Sequence, residues 1–149
     1  MSRLDPAELG ARLDAILATA ERMIREVPEA LMGAPVSEGA GTLRDAAFRL
    51  FRLGLAFADG MDLGRFPAER RETAPGDLRD GAAVARYGAL VRGRLAGWFE
   101  GAVPREFART IEGYDGPQVG SDLLARVADE ADRDLRALRM ALDRIGRAT

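Results

Sequence analysis

The stretch Ser121–Ile145, SDLLARVADEADRDLRALRMALDRI, decides the fold. Leu124, Val127/Ala128, Ala131, Leu135, Leu138, Leu142 and Ile145 recur at spacings of three and four, which draws one apolar stripe along a helix. Ser121 is placed to accept from a free N–H in the first turn, and Gly146 is expected to end the helix. Glu130 and Asp134 stand beside the stripe, four residues apart and therefore on one face.

Working outward, the chain offers three more helices of this kind. The first is expected from Pro6, with Asp5 as N-cap and Glu8 near the positive end of the helix dipole. Leu9, Leu13, Ile16/Leu17, Ala20, Met23/Ile24 and Val27 carry it to Pro28, with one further turn at Glu29–Met32. GAPVSEGAG (Gly33–Gly41) reads as a loop. The second helix opens at Thr42-Leu-Arg-Asp45, close to a capping box, and is expected to stop near Asp59, before Gly60. From Met61 to Asp80 the chain reads as a long connection, long enough for the second and third helices to run parallel. Asp80 caps the third, which carries Val84, Tyr87/Gly88, Val91, Leu95 and Trp98 and ends near Gly101. Phe107–Tyr114 alternates at first and Asp115-Gly116 is a turn signal, so a short hairpin is expected before the fourth helix. The fold class is all-α: a four-helix bundle forming a single domain over residues 1–149, a length that suits one core.

The second helix has more apolar surface than one stripe requires, because Phe48, Phe51 and Leu55 widen it around the flank. A homodimer through those residues is the sharper expectation, and cover from the following loop the plainer one.

Composition removes whole classes of chemistry. The chain has no His, Lys, Cys or Asn, and all 22 basic residues are Arg. There is no imidazole base, no thiolate nucleophile, no disulfide and no lysine for a Schiff base or P-loop. None of the three serines sits in a nucleophile-elbow motif. Any catalysis must come from carboxylates, Arg, Tyr87, Tyr114 or a bound metal. The net charge of −2 gives no reason to expect nucleic acid, and no apolar run is long enough for a membrane. No signal-peptide core opens the sequence, so a cytoplasmic protein is expected.

Several segments together resemble one family. Thr42-Leu-Arg-Asp-Ala-Ala-Phe-Arg-Leu-Phe-Arg52, Val84-Ala-Arg-Tyr-Gly88, Val91-Arg-Gly-Arg-Leu-Ala-Gly-Trp98, Phe107-Ala-Arg-Thr110 and Leu123-Leu-Ala-Arg126 are similar, in order and spacing, to the DinB-like superfamily of four-helix bundles. The resemblance implies a bundle, often dimeric, with a pocket at one end and a divalent metal held by three histidines. One of these lies on the second helix and two, four residues apart, on the fourth. It also implies thiol-dependent transferase or isomerase activity in the characterised members. Here the three positions fall on Arg49, Glu130 and Asp134. A guanidinium beside two carboxylates is compatible in charge, since the planar fork of Arg suits carboxylate oxygens. It is also a poor divalent site, so no metal and no cofactor are expected.

The plain alternative is that Arg126, Asp129, Glu130, Arg133 and Arg136 form an ordinary solvated face with i,i+4 pairs. Tyr87, Arg94 and Trp98 are candidates to line a pocket, although aromatics at helical spacing are more often packed. Arg52 and Arg109 are further candidates for holding an anion, with a plain surface role the commoner one for Arg. The expected function is a homodimeric small-ligand-binding or interaction module that has lost the family's metal. The alternative is an enzyme using Glu130 and Asp134 as metal ligands or as acid and base. A purely structural or regulatory bundle with no pocket is the third class.

Overall fold

Three of the four long helices follow a residue whose side chain accepts from a free N–H of the first turn. The computed structural model of the protein describes residues 5–36, 41–67 and 73–148. Helix α1 (Pro6–Ile24) starts at Asp5, whose carboxylate accepts from the Ala7 N–H at 3.3 Å. A single turn, α2 (Glu29–Met32), follows Pro28. Helix α3 (Leu43–Leu63) is capped by Thr42, which accepts from the Asp45 N–H at 3.2 Å. Helix α4 (Gly81–Gly101) is capped by Asp80, which accepts from Ala83 at 2.9 Å. A short α5 (Pro104–Ala108) leads into strands β1 (Thr110–Gly113) and β2 (Gly116–Val119), and α6 (Gly120–Ala148) closes the chain. The loop expected at Gly33–Gly41 holds a bridge between Pro35 and Thr42, while its residues 37–40 lie outside the described ones.

The second, third and fourth helices of the sequence are thus α3, α4 and α6. Each of the four long helices lies against two others: α1 against α4 and α6, and α3 against α4 and α6. Side-chain pairs give the directions. Phe48 meets Tyr87 and Phe57 meets Trp98, so α3 and α4 run parallel. Arg12 reaches Asp129 and Met23 meets Arg139, so α1 and α6 also run parallel. Gly10 lies under Phe99 while Gly81 lies against the Ile24 carbonyl, so α1 and α4 are antiparallel. The long connection after α3 supplies the return that a parallel pair requires. The apolar stripe of α6 is buried along most of its length: Leu124, Val127, Ala128 and Ala131 fully, Leu135 and Leu138 nearly so, and Leu142 and Ile145 by half.

Four boundaries differ from those expected, the first being the end of α1 at Ile24, short of Pro28. Helix α3 runs through Gly60 to Leu63, and Gly64 stops it in the left-handed region at φ 80. Gly60 has a packing role instead, because a Cβ there would stand 3.1 Å from the Phe66 Cα. Helix α6 begins at Gly120, before Ser121, and continues through Gly146. Among the described glycines only Gly41, Gly64 and Gly116 have positive φ, so Gly146 keeps helical geometry and stops nothing.

The apolar flank of α3 is absorbed within the chain. Phe51 is fully buried and Phe48 is 6% exposed. The cover is α4: Phe51 packs over Gly88, where a Cβ would come within 2.6 Å of the ring, and Phe48 lies 5.1 Å from Tyr87. Both phenylalanines are thus covered by α4, while Leu55, the third residue of that flank, is half-buried.

The hairpin is present as expected, with Gly116 in its turn at φ 107 and Pro117 tolerated opposite Glu112 in a two-stranded sheet. Its other edge is held by the chain leaving α3. The Phe66 N–H donates to the Glu112 carbonyl at 2.7 Å, and the Glu112 N–H to that of Gly64 at 3.1 Å. Arg109 reinforces this by donating to the Met61 carbonyl. The hairpin is therefore fixed at the end where α3 finishes and α6 starts. Among the described residues no helix is long and apolar enough to cross a membrane.

Candidate functional site

Helices α3 and α6 are antiparallel neighbours, and their facing sides carry Arg49, Glu130 and Asp134, all half-buried. Arg49 and Asp134 line one cavity of about 260 Å3 together with Ala46, Leu138, Ala141 and Arg144. Small side chains from both helices contribute to its lining, Ala46 from α3 and Ala137 and Ala141 from α6. Arg144 forms part of the wall and donates to the Pro35 and Val36 carbonyls, which ties the end of α6 to the loop before α3.

Glu130 lies one turn before Asp134 on α6. It accepts a hydrogen bond from the Tyr114 hydroxyl at the hairpin turn. The Tyr114 ring is held on both faces: its centroid is 4.8 Å from that of Phe66, and the Arg126 guanidinium sits 4.2 Å from it. A cation over a tyrosine face is attracted by the ring quadrupole. Arg126 also reaches Asp115 at 2.9 Å, so hairpin and helix share a small polar network. Charged residues of α6 also reach partners outside the helix. Arg126 goes to Asp115 and Asp129 to Arg12, while Arg136 keeps an i,i+4 bond to Asp132.

Tyr87, Arg94 and Trp98 do not gather around one space. Tyr87 packs on Phe48, three turns of α4 before Trp98. Trp98 is 8% exposed, meets Phe57, Phe99 and Phe107 edge-on, and donates from Nε1 to Asp62 at 3.0 Å. Arg94 is exposed and bonds the other Asp62 oxygen at 2.7 Å and Asp59 at 3.3 Å. Arg94 and Trp98 are thus joined through one carboxylate.

Three further groups were not singled out by sequence. Glu21 on α1 is 3% exposed and receives Arg92 Nη1 from α4 at 2.5 Å. The same guanidinium forks onto Asp14 at 2.9 and 3.1 Å. These bonds, to Asp14 first and then Glu21, hold Arg92 above its ordinary pKa against the opposing effect of burial. The available signal was position: Glu21 follows Leu17 by four and precedes Ile24 by three, inside the α1 stripe.

Compared with known proteins, the chain matches no family model, no curated protein and no solved structure.

Proposed function

We propose that the chain is a DinB-like four-helix bundle in which Arg49, Glu130 and Asp134 stand where the family holds its metal, and that it acts as a small-ligand-binding or interaction module. The observation that carries this reading is the cavity between α3 and α6 lined by both Arg49 and Asp134. A guanidinium has no lone pair to give a cation, and its charge repels one. It offers planar donors instead, which suit a carboxylate on the opposite helix. The parallel α3–α4 pair across a long connection supports the same reading, because bundles with crossover loops are built that way.

The enzyme alternative is favoured by one feature, the hydrogen bond from Tyr114 to Glu130, since a phenol and a carboxylate in contact can pass a proton. Its metal-dependent form is less well served. Among the described residues, no three His, Cys, Asp or Glu come together in a group suited to a metal ion. The binding-module reading also carries no dimer across Phe48 and Phe51, which face α4.

The test is metal dependence. A ligand that binds only the native state stabilises it by about 2.7 kcal/mol at a hundredfold excess over Kd, so even a weak site is visible in Tm. Excess zinc, nickel or manganese is expected to leave the Tm of the protein unchanged. The triple variant Arg49→His, Glu130→His, Asp134→His is expected to gain metal-dependent stability, because three imidazoles with an open position form a zinc site. Stoichiometric metal in the unaltered protein, or a triple variant indifferent to metal, would overturn the reading.

A further inference from the structure

We propose that the groove between α1 and α4 is a binding site for an arylalkyl ammonium ligand, a molecule with an aromatic body and a cationic head. This site is remote from Arg49, Glu130 and Asp134 and does not depend on their reading. Facing helices usually meet through large side chains. Here α1 presents Ala7, Gly10 and Ala11 and α4 presents Ala96 and Ala102, which leaves a groove of about 660 Å3. That volume is within the range of roughly 300–1,000 Å3 typical of small-molecule pockets.

The floor is aromatic and ordered by packing. Phe99 and Phe107 stack with centroids 6.0 Å apart, and Phe99 stacks on Phe57 at the same distance. The Phe99 ring lies directly on Gly10, where a Cβ would stand 2.9 Å from two ring carbons, so glycine at this position lets the ring lie flat. A flat aromatic body can rest on this surface in the offset geometry that ring quadrupoles prefer.

The groove is acidic at its edge. Among the described residues, Asp5 and Asp14 line it and no basic residue does. Arg92 bonds Asp14 from outside the groove but is shared with Glu21, so one guanidinium answers two carboxylates there, and Asp5 stands apart at the start of α1. An apolar cleft rimmed by one sign of charge concentrates ligands of the other. The cation would also be favoured by the ring faces beneath it.

Calorimetric titration of the full chain with 3-phenylpropylamine, 3-phenylpropanol and 3-phenylpropionate tests the site, since the three share a body and differ only in head group. The amine is expected to bind saturably and at least tenfold more tightly than the carboxylate. Ala96→Trp fills the groove from its exposed rim and is expected to abolish amine binding with an unchanged circular dichroism spectrum. Asp5→Asn keeps a residue that caps helices well and is expected to weaken the amine severalfold while leaving the alcohol unaffected. If Ala96→Trp does not fold, Asp5→Asn decides alone. Absence of saturable amine binding, equal affinity for the carboxylate, or full binding by Ala96→Trp or Asp5→Asn would overturn the proposal.

Discussion

At the scale of single residues, Glu21 is the group under most constraint. It is 3% exposed, and a carboxylate taken out of water loses several kcal/mol of hydration unless a partner replaces it. Arg92 is that partner, and by also forking onto Asp14 it fixes α4 against two turns of α1. Breaking such a pair from one side is more costly than never having built it. Arg92→Ala is therefore expected to lower stability by about 3 kcal/mol, the low end for a buried pair because the Arg92 side chain is one-third exposed. Glu21→Leu combined with Arg92→Met should recover most of that loss, since no charge is then stranded. Urea unfolding midpoints measure both, and an Arg92→Ala midpoint equal to the parent's would contradict the account. Periodicity places Glu21 in the same stripe as Leu17 and Ile24, yet it does not name the guanidinium on another helix that makes its burial tolerable.

At the scale of elements, three helix starts and the end of α4 at Gly101 were legible, while the stops expected at Gly60 and Gly146 were not. Asp5, Thr42 and Asp80 cap as their types suggest, because an N-cap bond is local to three or four residues. Gly60 and Gly146 looked like stops because glycine often ends helices. Only the neighbouring chain shows that Gly60 serves close approach to Phe66. The connection between α3 and α4 is anchored by a contact of this non-local kind, the Ala74 N–H donating to Asp45 at 2.8 Å. Burial alone would raise the Asp45 pKa, but the hydrogen bonds from Ala74 and Thr42, with the charge of Arg49, outweigh it and hold the carboxyl below its usual 3.8. A lowered folded pKa means that the unfolded state takes up the proton first. The stabilisation is then fully present above the unfolded value of about 3.9 and is lost as pH falls through the folded one. Asp45→Asn should cost stability at pH 7, with the difference from the parent shrinking steadily below pH 4. A gap of constant size from pH 7 to pH 3 would remove Asp45 from this role.

At the scale of the whole molecule, the question is where the apolar surplus of α3 goes. Phe51 packs on Gly88 inside the same chain, so its contribution is to the protomer rather than to assembly. Phe51→Ala should destabilise by about 3–5 kcal/mol, as deletion of a buried aromatic does. That loss should be the same at low and high protein concentration, whereas a residue at a dimer interface would show a cost that grows on dilution. Denaturation of the variant at two concentrations a hundredfold apart checks it. By itself the sequence determined the helical class, the position of four long amphipathic helices, the hairpin at Asp115-Gly116 and the absence of imidazole and thiol chemistry. These follow from periods, caps and composition, all of which act over a few residues. Only the tertiary structure decided which flank of α3 is covered, that Asp134 shares a cavity with Arg49, that Tyr114 bonds Glu130, and that Glu21 is a core residue. Each of these depends on which helices are neighbours and how deeply they interlock. A hydrophobic period fixes which side of a helix is buried, but it does not name the partner that buries it.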